Sequence, residues 1–328
     1  MKNMTKLKRS VFWGLTASIF LSVIFSSCGT EEKKEFPLSA IIFYSIAEKQ
    51  VAFHALTHSA VSWHWDFGDG TSSDEQNPVH IYENGGYYNV KLVATAANGE
   101  SVSDEVKIGV MITPYVLLTG GANAVNGETW KLSTAHSSNG DYFANADPDL
   151  TPYDPSITPL PNGAFGMYLQ YDNVYNDKYT FYFNGKYEMN LTAYGDKGTG
   201  AFAGLVYEYM TTGGAGILEV SEMGQDFGLC IGAYTPEENM TFTYVKKEDF
   251  TVPSVYGADG TVTYKDVTTL DFSGTAFVGF MDNQRKVILQ SITEDRMTLV
   301  MFMAASPDYW PLNTHGLVLS FEAVNNED

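Results

Sequence analysis

The chain has little with which to cross-link itself, grip nucleic acid or perform catalysis. Its 328 residues include two cysteines, Cys28 and Cys230, so no disulfide framework is expected, and a chain of this length can bury a sizeable core without one. Lys and Arg number 19 against 39 Asp and Glu, a formal charge of −20. Binding nucleic acid needs clustered cations against phosphates, so no nucleic-acid partner is expected. There is no Gly-x-Ser-x-Gly elbow and no His-Glu-x-x-His pair. The Glu-x-Asp-x-x-Glu strand that sandwich glucanases use is also missing. The nearest acidic cluster is Glu219, Glu222 and Asp226, whose spacing does not put the three on one face of a strand. Long apolar repeats at helical spacing with caps are absent as well. Catalysis is therefore not expected, and neither is a cofactor.

What is present begins with an address. Lys2, Lys6, Lys8 and Arg9 precede an apolar run over 11–25, and Ser26-Ser27-Cys28 follows. This is the pattern of a signal peptide over 1–27, too short and wrongly flanked for an ordinary membrane span. Cys28 straight after small residues resembles the bacterial lipobox, with Phe25 where Leu is more usual. The resemblance implies cleavage before Cys28, a lipid on its sulfur and attachment to the outer membrane. Residues 28–36, with Glu31, Glu32 and Glu35, resemble the acidic tether that exports some lipoproteins to the cell surface. Cys230 lies between Leu229 and Ile231 and reads as a buried thiol acting as a small hydrophobe.

Residues 65–70 read Trp65-Asp66-Phe67-Gly68-Asp69-Gly70. Trp65 and Phe67 lie two apart, so a strand puts them on one face. Asp66 and Asp69 suit a tight turn, and Gly68 and Gly70 supply its positive φ. A cation between Asp66 and Asp69 would lack most of the oxygens it needs, so a metal site is not expected there. Asn77-Pro78, Tyr82, Gly86 and Tyr88 follow, then the alternating Val90, Leu92 and Ala94, and Asn98-Gly99 as a hairpin turn. Together these resemble the PKD domain, an immunoglobulin-like β-sandwich, over 37–110. The resemblance implies a spacer module of secreted and surface proteins.

The remainder, 111–328, reads as all-β. Residues 111–121 look like a linker strand. Tyr179, Phe181 and Phe183 run into Asn184-Gly185, and Tyr187, Met189 and Leu191 return, a hairpin signal. Asp259-Gly260 separates Val255-Tyr256 from 261–264 in the same way, and 293–296 separates two late strands. The expected architecture is a larger antiparallel β-sandwich, jelly-roll-like, or an open barrel. The segments Glu128-Thr129-Trp130-Lys131-Leu132, Tyr175-Asn176-Asp177-Lys178-Tyr179-Thr180-Phe181 and Ile292-Thr293-Glu294-Asp295 are similar to the C-terminal domains of PKD-bearing lipoproteins of starch-utilisation-type (Sus-like) systems. That similarity implies polysaccharide capture at the cell surface beside an outer-membrane glycan importer. The Gly-His-rich loop and Asp-Asp-Glu hairpin of such relatives are altered here, so the ligand does not carry over.

Aromatic residues make up 14% of the chain, and rings held on loops over a rigid scaffold can lie against the apolar faces of sugars. Two segments offer them: the region 137–169, read as one long loop without strand alternation, with Tyr142, Phe143 and Tyr153; and 308–315, with Tyr309, Trp310 and His315. These six are the candidate carbohydrate contacts. Trp130, inside an alternating segment, reads as core. Asp147, Asp149 and Asp154 depart from the ligand order of a calcium loop and read as solvated charges. The acidic balance favours a neutral polysaccharide or oligosaccharide. The alternatives are a structural or adhesive surface lipoprotein without a glycan ligand, and a glycan-degrading enzyme of unrecognised type.

Overall fold

The computed structural model describes residues 36–324. The expected signal peptide, Cys28 and most of the tether lie outside the described residues. The described residues from Leu38 onward form one compact unit.

The N-terminal part is a sandwich. β1 (Ser39–Ala47), β2 (Gln50–His58), β3 (Ala60–Asp66), β4 (Ser72–Ser73), β5 (Val79–Ile81), β6 (Gly86–Ala96) and β7 (Ser101–Val110) build two antiparallel sheets, β1-β2-β5 and β4-β3-β6-β7. Trp65, Phe67, Val90 and Leu92 are buried between them, as the alternation predicts, with Phe53, Tyr82 and Tyr88. The motif residues each satisfy a backbone group. The Asp66 carboxylate accepts from Gly68 N–H at 2.9 Å and that of Asp69 from Thr71 N–H at 3.0 Å. The other Asp69 oxygen meets His80 Nε2 at 2.7 Å, and the His80 ring stacks on Phe67 at 4.2 Å. Asn77 Oδ1 accepts from Ala55 N–H, and Pro78 O from Phe53 N–H. The Tyr82 and Tyr88 hydroxyls donate to Phe67 O and Asn84 O, and Gly86 bridges Gly121 at the start of the next domain.

Gly68 and Gly70 both have positive φ, 75° and 85°, but only Gly68 is crowded. A Cβ there would lie 2.5 Å from Asn89 O, whereas nothing lies within 4 Å of one at Gly70. Both alanine variants should suffer the left-handed penalty of about 1–2 kcal/mol. Gly68→Ala should cost clearly more, because β6 backbone must move. Denaturant unfolding of the two variants side by side measures the difference, and equal costs would contradict it.

The larger domain opens on a correction. Residues 111–121 are not a linker strand: α1 (Pro114–Thr119) stands there, capped by the Thr113 side chain, with Pro at its first turn and Gly120 left-handed at its end. These are the start and stop signals of a helix, outweighed in the sequence by the β-branched and apolar run around them. The strands that follow are β8 (Glu128–Leu132), β9 (Tyr142–Asn145), β10 (Lys178–Phe181), β11 (Tyr187–Asn190), β12 (Gly200–Gly204), β13 (Ile217–Glu219), β14 (Leu229–Ala233), β15 (Phe242–Pro253), β16 (Thr261–Phe272), β17 (Val287–Ile292), β18 (Arg296–Met303) and β19 (His315–Ala323). The main sheet runs β11-β10-β8-β19-β18-β17-β16-β15, with β9 paired to β19, while β12-β14-β13 form a small separate sheet.

The main sheet curls until its ends meet. Lys186 bridges Thr241, Phe242 N–H donates to Gly185 O, and Tyr187 N–H donates to Met240 O. The all-β expectation holds, with the main sheet curled on itself. Alternation along β18 explains why both faces of the sheet's middle are dry. Met297, Leu299, Met301 and Met303 join the large core with Trp130, Phe181 and Phe321. Val300 and Phe302 join a second core on the other face. That core is roofed by the far half of the β15–β16 hairpin, where Phe250 and Tyr264 pack on Phe302. Register shifts between Val245 and Phe250 let the hairpin bend over the face, as bulges do.

Two further expectations are corrected. Residues 137–169 are not structureless: β9 pairs with β19, and short helical turns flank it. Val255-Tyr256 is not strand, because β15 ends at Pro253 and leaves a loop before Thr261.

Candidate functional site

Three loops meet at one end of the larger domain. Ser254 Oγ–H donates to Ala146 O, Ala146 N–H to Thr314 O, and Val255 N–H to Asn313 O. The Tyr264 hydroxyl ties Asp147 O to the hairpin at 3.0 Å. Asp147 itself holds the N–H groups of Asp149 and Thr151, and Asp154 that of Ser156. Their carboxylates thus fix turns.

On this platform β9 runs beside β19 with Asn145 opposite His315. The Tyr153 ring is 51% exposed and meets the His315 ring edge-on at 4.4 Å. Tyr256 is 45% exposed and its hydroxyl donates to Asn145 Oδ1 at 2.7 Å. Asn145 Nδ2 donates in turn to Thr151 Oγ1 at 3.0 Å. Burial holds the His315 imidazole down at about 4, so it is neutral at pH 7, with Nδ1 2.7 Å from Thr314 Oγ1. The result is two exposed rings with an amide and a neutral imidazole between their anchor points. Rings offer flat apolar faces, and amide and imidazole offer both donors and acceptors.

The other candidates go elsewhere. Trp310 is half-buried and its ring lies 6.3 Å from that of Tyr207 on the helix Leu205–Thr212. Arg285 covers Tyr207 at 5.3 Å and donates to its hydroxyl at 2.7 Å. Tyr309, in the turn before Trp310, is exposed. Tyr142 packs against the second core and donates its hydroxyl to Leu150 O. Phe143 packs on Phe165 and Phe227 and lines an apolar cavity of about 260 Å³ with Tyr168, Met223 and Leu229. That cavity offers almost nothing to a hydroxyl. Of the six candidates, therefore, Tyr153 and His315 share one patch, Tyr309 and Trp310 sit on the adjoining loop, and Tyr142 and Phe143 serve packing. Sequence reading missed Tyr256 and Asn145. Tyr256 stood in an apparent strand, and Asn145 matters only through β9, whose partner lies some 170 residues away in the chain.

Buried acids lie apart from this patch. Asp282 is fully buried, its Oδ2 has no hydrogen-bond partner, and burial pushes its carboxyl up to about 7; burial does the same for Asp177. Between the ordinary value of 3.8 and about 7, the folded chain holds a proton that the unfolded chain has released. Unfolding therefore releases protons, and stability falls as pH rises through that window. The melting temperature should drop as pH rises from about 4 to about 7, and Asp282→Asn should flatten part of the drop. An unchanged slope in that variant would show that Asp282 does not titrate there.

Residues 45–110 match the PKD-domain family profile. The chain carries a PKD domain. Its Asp66–Gly70 turn and Trp65, Tyr82 and Tyr88 are thus that domain's turn and core. Among curated proteins, collagenase ColA of Bacillus cereus is 29% identical over 102 residues, 28% of this chain and 10% of that protein. Collagenase ColQ1 of another Bacillus cereus strain is 46% identical over 50 residues, 15% of this chain and 5% of that protein. The chain therefore spans a tenth or less of the collagenases it resembles. Among solved structures, the PKD1 domain of the Vibrio cholerae metalloprotease PrtV is 27% identical, with a TM-score of 0.23, covering 24% of this chain and 100% of that one. A structure titled for carbohydrate-binding modules of the β-sandwich superfamily is 14% identical, with a TM-score of 0.23, covering 88% of this chain and 97% of that one. Likeness at such scores carries no weight for the larger domain, whose use must come from its own geometry.

Proposed function

We propose that this chain is a non-catalytic lipoprotein of the outer-membrane surface that captures a neutral polysaccharide, in company with a glycan importer. The observation that carries the proposal is the exposed pair Tyr153 and Tyr256, held by Asn145 and His315 at the meeting of three loops. A solvent-facing Tyr pair on a hydrogen-bonded platform loses little order when a sugar ring settles on it. The groups between the rings are uncharged at pH 7, which suits hydroxyls rather than sulfates or uronates. Cys28 supplies the anchor and the PKD domain the spacer.

Calorimetric titration of the chain from residue 28 onward against soluble β-glucans, α-glucans, mannans and xylans tests this, with product analysis of the same samples. Saturable heat without products is expected for at least one class. Cleavage products would replace the proposal with an enzyme. Silence across the panel would leave a structural or adhesive surface protein.

A further inference from the structure

The PKD domain has one polar and one apolar outer face. On the sheet β4-β3-β6-β7, Lys91 stands opposite Glu105 and Asn89 opposite Lys107, all exposed. On the sheet β1-β2-β5, Ile41 stands opposite Leu56, Phe43 opposite His54, Ala52 opposite Val79 and Gln50 opposite Ile81. Ile41, Phe43, Leu56, Val79 and Ile81 are all exposed, Ile81 at 68%. Alternation puts these outward while Ile42, Val51, Phe53 and Ala55 fill the core. No residue of β1, β2 or β5 is Asp, Glu, Lys or Arg, in a chain with 39 acidic residues. A contiguous apolar face of this kind marks an interaction surface.

We infer that this face rests on the lipid surface to which the chain is anchored. The inference builds on the lipid anchor proposed at Cys28. Only ten residues lie between Cys28 and Ser39, the start of β1. Fully extended they reach at most about 40 Å, so the face is confined to the neighbourhood of the bilayer. Missing carboxylates let it approach anionic headgroups that the rest of this acidic chain would avoid. Its size fits a lipid surface better than a second copy. Strand spacing and rise give roughly 300 Å², well below the about 800 Å² per partner of a stable protein interface. An anchored face needs little affinity of its own, because the tether raises its local concentration to the millimolar range, on the order of 10⁻³ M. Lying on this face would fix the direction in which the rest of the chain points.

The test holds the chain from residue 28, with Cys28→Ser and an N-terminal hexahistidine, on nickel-chelating vesicles of phosphatidylethanolamine and phosphatidylglycerol. An environment-sensitive fluorophore is placed through Ser45→Cys on the apolar face or Glu105→Cys on the polar face; Cys230 is buried and does not react. The expected result is a blue shift and quenching by nitroxide lipid at position 45 and neither at 105. Leu56→Asp with Ile81→Asp, both at exposed positions, should abolish the difference without altering circular dichroism. Equal behaviour of the two labels, or a difference that survives the double Asp variant, would overturn the inference. A blue shift at 45 without vesicles, with a dimer in sedimentation, would assign the face to a second copy instead. Lipidation is read separately, by the mass of the Cys28 peptide from outer membranes, so an unlipidated Cys28 sinks the anchor without deciding the vesicle result.

Discussion

Tyr153→Ala combined with Tyr256→Ala is expected to abolish measurable glycan binding while leaving the melting temperature nearly unchanged. Each ring is about half exposed, so its removal opens no cavity in the core and costs the fold little. Its value lies in the bound state, where a stacked sugar desolvates it. Aromatic anchors at the centre of an interface each contribute about 2 kcal/mol or more, roughly thirtyfold in affinity. The two should not simply add, because they share the Asn145–His315 platform. Tyr153 meets His315, and Tyr256 holds Asn145. Tyr256→Phe separates stacking from positioning: it keeps the ring and releases only the Asn145 amide, so about tenfold or less should be lost. Trp310→Ala reports on whether the ligand extends along the adjoining loop towards Tyr207 and Arg285. Full affinity in the double Tyr variant, measured by the same titration, would remove the patch from consideration.

How much of this was legible in the sequence follows from the range of the contacts involved. The N-terminal sandwich was readable because its signals are local: Trp65 and Phe67 two apart, glycines at positive φ, an Asn-Gly turn between β6 and β7. The Asn184-Gly185 hairpin was readable for the same reason, although its register, Phe181 opposite Tyr187, is that of a three-residue loop over 183–185 with Gly185 left-handed rather than of a two-residue turn. The helix α1 was misread although Thr113, Pro114 and Gly120 announce it, because local apolar and β-branched residues spoke for a strand. β9 has only four residues and no alternation; it is a strand because β19 offers an open edge, and sequence does not display that. The patch shows the same limit. Tyr153 and His315 could be picked singly as loop residues, but their meeting depends on β9 and β19 pairing. Tyr256 became visible only when β15 stopped at Pro253. Arg285 and Tyr207 come together from segments 78 residues apart.

The largest loss of stability is expected from Asp141→Ala, in a buried network that sequence reading did not detect. His136 and Asp141 are 0% and 1% exposed. The Asp141 carboxylate accepts from Ser320 Oγ–H at 2.6 Å through one oxygen and meets His136 Nδ1 at 2.7 Å through the other. His136 Nε2 lies 2.9 Å from the Tyr175 hydroxyl, which accepts from Phe165 N–H at 3.0 Å. An N–H at His136 Nδ1 facing Asp141, with the Tyr175 hydroxyl donating to Nε2, satisfies every atom of the network. The order Asp–His–Tyr looks catalytic, but the Tyr175 hydroxyl is already engaged by the Phe165 N–H and by His136 Nε2. Its work is to pin 136–175 to β19, and so to hold the segment that carries Tyr153. Asp141→Ala leaves the imidazole N–H unpaired in the core and the Ser320 hydroxyl with only Thr298 Oγ1 at 3.3 Å, with an expected cost of about 1–3 kcal/mol for the stranded N–H alone. Pairing it with His136→Leu should cost less than the sum of the two single variants, because the second change removes the group that the first leaves stranded. Additive costs in denaturant unfolding would mean that the residues contribute only their separate packing. Because the pinned segment carries one of the two rings, any folded fraction of Asp141→Ala should also bind glycan more weakly, although Asp141 touches no ligand.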